Sequence, residues 1–316
     1  MMFLNTIKLT FNNANLILKV LFYHLICTIF VCGLTVAVCY PLIVHLSGAG
    51  FFSDVLGIAQ SSVFNFQIDQ ILNVVAEVIE KLVSIVSSDV GTYLPYAIIA
   101  IAMVFVLGEF LSGLAEIPTR ECIYGYMGSW SRLGFMGCFV KNLGRSIRYS
   151  LAKLLVVLPF DLLFVASLGG LLYVFRLGTM WTMFIPFFMV LDILLFLSLR
   201  IMFFGGWTCS SIVKNKKVFE GLGSGFRSYL KAFGKVFSNA LSIVLLVIAA
   251  NVFSVMLTAS VGLALTLPFS LLCVETFCMV AYFYTNGLRF YVDKNNIVSP
   301  RKIEDFESIN TLKDII

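Results

Sequence analysis

Residues 134–205 read GFMGCFVKNLGRSIRYSLAKLLVVLPFDLLFVASLGGLLYVFRLGTMWTMFIPFFMVLDILLFLSLRIMFFG. In order, they hold a basic segment broken by glycines, an apolar run at Leu151–Phe175, a short turn at Leu177–Thr179, and a second apolar run over 180–204 that opens near Pro186. As an α-helix each run would be about 37 Å long, against a hydrocarbon core of about 30 Å. Two such runs joined by a tight turn predict a helical hairpin set in a bilayer.

The rest of the chain agrees. Hydrophobic residues make up 60% of its 316 residues and charged residues 12%, with mean hydropathy +0.98. A soluble domain is about 45–50% apolar and about 25% charged. Further runs at 20–46, 95–117, 240–260 and 263–288 bring the predicted spans to six. The first is too long for a signal-peptide core and reads as retained, with a kink at Pro41 and His45 as an interfacial cap. Pro95 is expected at the first helical position of the second span and Pro118 at its end. The predicted fold is all-α: residues 1–290 form one polytopic membrane bundle, and 291–316 form a cytoplasmic tail. The eight cysteines show no CxxC spacing and read as small packing residues.

Nineteen of the 22 Lys and Arg residues fall in segments on one side of these spans. Only Lys81 and Arg176 lie on the other side, and Arg200 lies within a span. By the positive-inside rule both termini face the cytoplasm. The net charge of +5 is thereby assigned to the membrane face, with no nucleic-acid partner. The long outer loop, 47–94, carries Asp54, Asp69, Glu77, Glu80 and Asp89 against Lys81. Residues 67–88 place apolar side chains at helical spacing, so an amphipathic helix is expected there. Its polar face is acidic, which suits a cover over the outer mouth of the bundle or a partner rather than anionic lipid.

The opening stretch repeats loosely. When Gly144 is aligned with Gly234, Lys141 falls on Lys231, Arg145 on Lys235, and Asp161 on Asn251. The second helix of each hairpin begins near Pro95, Pro186 or Pro268 and then carries Glu109, Asp192 or Glu275. Three tandem units are predicted, each a basic amphipathic helix followed by a transmembrane hairpin. Lys141, Arg145 and Arg148 in one copy, and Arg227, Lys231 and Lys235 in another, recur at three- or four-residue spacing. Such helices are expected to lie in the interface and bind anionic lipid headgroups.

Glu109, Asp161, Asp192, Arg200, Asn251 and Glu275 interrupt apolar runs, where an ionised group costs about 2.5–3.5 kcal/mol. They are the candidate intramembrane polar site. Asp192 and Arg200 are expected to share a helix face, while Glu116 reads as interfacial. The sequence has no P-loop, H-E-x-x-H or G-x-S-x-G motif, and no cluster of His and carboxylates. Neither catalysis, a metal nor a cofactor is therefore expected.

The layout of basic segment, hairpin and repeat, together with the tail RFYVDKNNIVSPRKIE at Arg289–Glu304, resembles six-helix membrane proteins of Gram-positive bacteria that have no assigned activity. The resemblance implies a bacterial plasma membrane. Two functions fit: a scaffold or regulator that binds lipid headgroups and proteins through its basic face, read first, and a transporter or channel for a small solute or lipid. A water-accessible cavity at the buried carboxylates favours transport, and a dry packed centre favours the scaffold.

Overall fold

The computed structural model describes residues 2–56, 68–129, 133–177, 184–258 and 262–288. The tail 291–316, the stretch Arg289–Glu304, the loop tip 57–67 and most of the 177–179 turn lie outside the described residues. The helices are α1 Met2–Asn12, α2 Ala14–Val38, α3 Tyr40–Gly48, α4 Ile68–Ser88, α5 Val90–Ala102, α6 Gly108–Ser129 and α7 Phe135–Arg176. They continue with α8 Ile185–Val213, α9 Val218–Leu230, α10 Phe233–Thr258 and α11 Leu263–Thr285. A π-helical turn, Met103–Leu107, joins α5 to α6. The fold is all-α, and six helical segments are long and apolar enough to cross a membrane: Ala14–Val38, Val90–Met127, Phe135–Phe175, Ile185–Val213, Phe233–Val255 and Leu265–Thr285.

Several helix ends differ from expectation, set by caps and by burial rather than by the prolines and glycines alone. The second span begins at Val90, capped by the Asp89 carboxylate, which accepts from the Thr92 N–H at 3.3 Å. Pro95 is therefore inside the helix rather than at its start. Pro118 does not end the span; the helix runs on to Ser129, because Ile117, Thr119 and Arg120 on either side are buried against neighbours. The basic segment 139–153 is not a separate surface helix. It forms the first turns of α7, whose 42 residues make a rod about 63 Å long. Gly144 fails to break it because Ser146, Tyr149, Ser150, Ala152 and Lys153 are all buried. In the later copy a break does occur, at Lys231–Ala232, leaving α9 and α10 as separate helices. The first span divides at Cys39, and Pro41 sits in the first turn of α3. His45 stacks on Tyr93 with ring centroids 4.2 Å apart.

α11 is the central helix. From Leu272 to Phe283 nearly every side chain is buried, and it packs against α1, α2, α6, α8, α9 and α10. The outer surfaces of α2, α7 and α8 instead expose large apolar residues such as Phe22, Ile29, Leu155, Leu163 and Phe187, as helices facing lipid do. In lipid there is no hydrophobic force between helices, so close approach through small residues does the packing. α9 crosses α8 backbone to backbone: a Cβ on Gly206 would lie 2.7 Å from the Gly225 carbonyl oxygen, and one on Gly221 would strike Ser211. Gly113 meets Ser150 where α6 crosses α7, and Gly205 meets Cys278 where α8 crosses α11. Tyr229 of α9 donates to the Cys278 carbonyl at 2.6 Å. Burial pushes its phenol well above the usual range, so it stays a neutral donor.

At the opposite end of the bundle, α4 contacts α5, α7 and α8. Val78, Ile85 and Val86 join Leu42, Leu46 and Phe51 in a small apolar cluster. Lys81 pairs with Asp54.

Candidate functional site

Helix α6 carries Glu109, Glu116 and Arg120, spaced by seven and four residues, so all three lie on one face. The π-turn just before them shifts the register relative to α5 by about one residue, or about 100°. Tyr149, Lys153 and Asp161 come from α7, Arg200 from α8 and Glu275 from α11.

These side chains form one chain of contacts. The Arg200 guanidinium holds Asp161 at two points, Nε to Oδ1 at 2.9 Å and Nη2 to Oδ2 at 3.0 Å. The same Nη2 lies 3.0 Å from Glu109 Oε1. Lys153 Nζ sits 2.6 Å from that oxygen and also donates to Glu116. Glu116 Oε2 accepts from the Tyr149 hydroxyl at 2.5 Å and lies 4.0 Å from Arg120 Nη2. Arg120 donates through Nε to Glu275, and through Nη1 to the Gly205 carbonyl at 2.7 Å and to Thr208. Arg120 is only 4% exposed and Lys153 5%. A charge this deep persists only when paired and hydrogen-bonded.

Beside the chain lies a cavity of about 310 Å³. All six membrane-length segments reach it, contributing among others His24, Glu109, Lys153, Arg200, Asn251 and Glu275. Much of its remaining wall is apolar, with Val20, Leu197, Val244, Val247, Leu267 and Leu271, broken by Ser112, Thr119 and Ser270. Asn251 Nδ2 donates to the Val247 carbonyl at 2.8 Å and to Ser270 Oγ at 2.9 Å, which leaves Oδ1 without a partner.

The structure thus brings together Glu109, Arg200 and Asp161 in direct contact and lines the same cavity with Glu275 and Asn251. It does not bring in Asp192, which accepts from Ser167 at 2.6 Å further along the α7–α8 hairpin. Asp192 and Arg200 share no partner: one faces Ser167, and the other faces Asp161 and Glu109. Glu116 is not interfacial but central to the network, Arg120, Tyr149 and Lys153 join it without having been singled out, and His24 lines the cavity beside it. Their sequence signal is faint: the Glu109–Glu116–Arg120 spacing on one face, and Lys153 two turns before Asp161.

The basic residues divide. Lys141 pairs with Glu121 at 2.7 Å, and Arg145 donates to the Ser211 and Lys216 carbonyls, pinning the turn after α8. Lys235 approaches the Tyr284 hydroxyl at 3.4 Å. Arg148 lines an open cleft of about 540 Å³ with Lys216 and Lys217. Arg227 and Lys231 line another of about 470 Å³ with Lys214 and Lys216. Asn215, at the tip between the clefts, takes a left-handed φ of 47°.

Fold and site together define a class: a six-span integral membrane protein with a charged central cavity. Comparison with protein-family models, with curated proteins and with solved structures gives no match.

Proposed function

We propose that the protein is a transporter or channel-like protein that passes a small polar solute through its central cavity. The cavity itself carries the reading. A scaffold needs its spans only to pack, and a centre closed by apolar side chains would cost less than this one. Here every span instead contributes to an open space walled by charge, and buried ionisable groups facing a cavity mark solute or ion pathways. The π-turn ahead of Glu109 adds support, because such turns concentrate at functional positions. The orientation has both termini in the cytoplasm, in a bacterial plasma membrane, with α4 over the outer end.

The tandem-unit reading also gains support. The start of α7 packs along α6, α9 packs along α8, and α1 packs along α11. Each cytoplasm-bound span thus meets the opening element of the next unit, and the last meets the first. Asp161 and Asn251 likewise each bond to the following span, at Arg200 and Ser270.

Flux is the test. Proteoliposomes holding the purified protein are challenged with a panel of small cationic, anionic and zwitterionic solutes. At least one solute is expected to move, and Glu109→Gln, which loosens both Lys153 and Arg200, is expected to cut the rate at least tenfold. Flux of no panel member, or flux indifferent to Glu109→Gln and Glu275→Gln in folded protein, overturns the reading.

The basic side has a function of its own under this reading, since the two clefts flanking residues 214–217 suit anionic headgroups. Each cation near such a surface contributes about 1 kcal/mol. The double substitution Arg227→Gln/Lys231→Gln is therefore expected to lower retention of phosphatidylglycerol in detergent-purified protein by about tenfold or more, as measured by native mass spectrometry. Unchanged retention would remove the clefts from lipid binding.

A further inference from the structure

Among the described residues the buried network contains four acids, Glu109, Glu116, Asp161 and Glu275, against three bases, Arg120, Lys153 and Arg200. Fully ionised, it is one positive charge short. The deficit lies among the membrane-length segments, where an unbalanced charge is expensive. We propose that the cavity takes one small organic cation, in exchange for a proton carried on His24; this deepens the transport reading and rests on it.

Three observations support that assignment. Three acids, Glu109, Glu116 and Glu275, line the cavity against two bases, Lys153 and Arg200, while Asp161 and Arg120 do not line it. The charge deficit is therefore presented to whatever enters. Part of the wall is hydrocarbon, from Val20, Val244, Val247 and Leu271, which matches the carbon skeleton of an alkylammonium. His24 lines the same space from α2, together with Glu109 and Glu116 of α6, Lys153 of α7, Arg200 of α8, Glu275 of α11 and the neutral Asn251 of α10. An imidazole there is the one group in the wall whose ordinary titration range spans physiological pH. Protonated, it balances the network; when a cation arrives, the proton leaves to solvent and the balance holds.

The experiment is calorimetric titration of tetraethylammonium into wild-type protein in nanodiscs, at about pH 6 and about pH 8. One site per chain is expected, at least tenfold tighter at the higher pH, with proton release measured by buffer comparison. His24→Lys supplies a fixed positive charge and is expected to weaken binding at least tenfold. His24→Gln is expected to keep binding but lose its pH dependence. Asp192→Asn, outside the cavity, is expected to stay within twofold of wild type. No binding at about 10 mM probe, undiminished binding in His24→Lys, or a pH dependence that survives His24→Gln would each overturn the proposal. Binding without flux would keep this inference and sink the transport reading. Flux of a neutral or anionic solute, with no cation binding, would do the reverse.

Discussion

Arg120→Leu is expected to be the most damaging single substitution in the protein, lowering its melting temperature in detergent by about 10 °C. The guanidinium is buried and serves Glu275 on α11 together with the Gly205 carbonyl and Thr208 on α8. Its removal strands the Glu275 carboxylate on the central helix without its nearest counter-charge. Breaking a buried pair by deleting one partner costs about 3–5 kcal/mol, and at the scale of a large domain each kcal/mol is about 2–4 °C. The double substitution Arg120→Leu/Glu275→Leu removes both charges and is expected to recover at least half of the loss, since an apolar replacement of a whole pair is often neutral. Arg120→Lys is expected to fall between, because a single ammonium cannot reproduce the fork that meets three acceptors. A double variant no better than the single would mean that Arg120 acts through something other than this pair.

Gly225→Val is the second large effect. Gly225 lies against the Gly206 backbone where α9 crosses α8, and neither partner is a side chain that could swing aside. Overpacking costs about 1–3 kcal/mol where side chains can adjust, so a contact between two backbones belongs at or above the top of that range. When α9 lifts, the Tyr229 bond to the Cys278 carbonyl goes with it. Limited proteolysis should then cut after Lys214, Lys216 or Lys217 in the variant, while the wild type resists. Gly223→Val, two residues away on the other side of the helix and in open space, is the matched control and should behave like the wild type. Equal protease resistance in Gly225→Val would show that α9 is not seated by this crossing.

The sequence shows the spans plainly because twenty apolar residues in a row have few other uses. It also shows Glu109, Asp161, Arg200 and Glu275, because a charge inside such a run stands out. It hides Glu116, Arg120 and Lys153 for the converse reason. They lie at the ends of apolar runs, where the positive-inside rule accounts for a cation and an interfacial position accounts for an acid. Only tertiary packing reveals that α6 and α7 continue past those ends and bury them. Asp192 shows the limit of reasoning along one helix. Eight residues from Arg200 it shares a face in projection, but in the antiparallel hairpin it meets Ser167, while Arg200 meets Asp161. Pro118 and Gly144 mislead as breakers because their local cost is outweighed by the burial on either side.

The claim on which the functional account turns is that water reaches the centre of the bundle. Ser270 lines the cavity from α11, and a cysteine there can be probed in a chain whose eight native cysteines are replaced by serine or alanine. With Ser270→Cys in intact proteoliposomes, a charged, membrane-impermeant thiol reagent is expected to label the residue, and tetraethylammonium is expected to slow the labelling. Full protection of that cysteine from both sides of the membrane, in protein that remains folded, would show a dry centre and contradict the account.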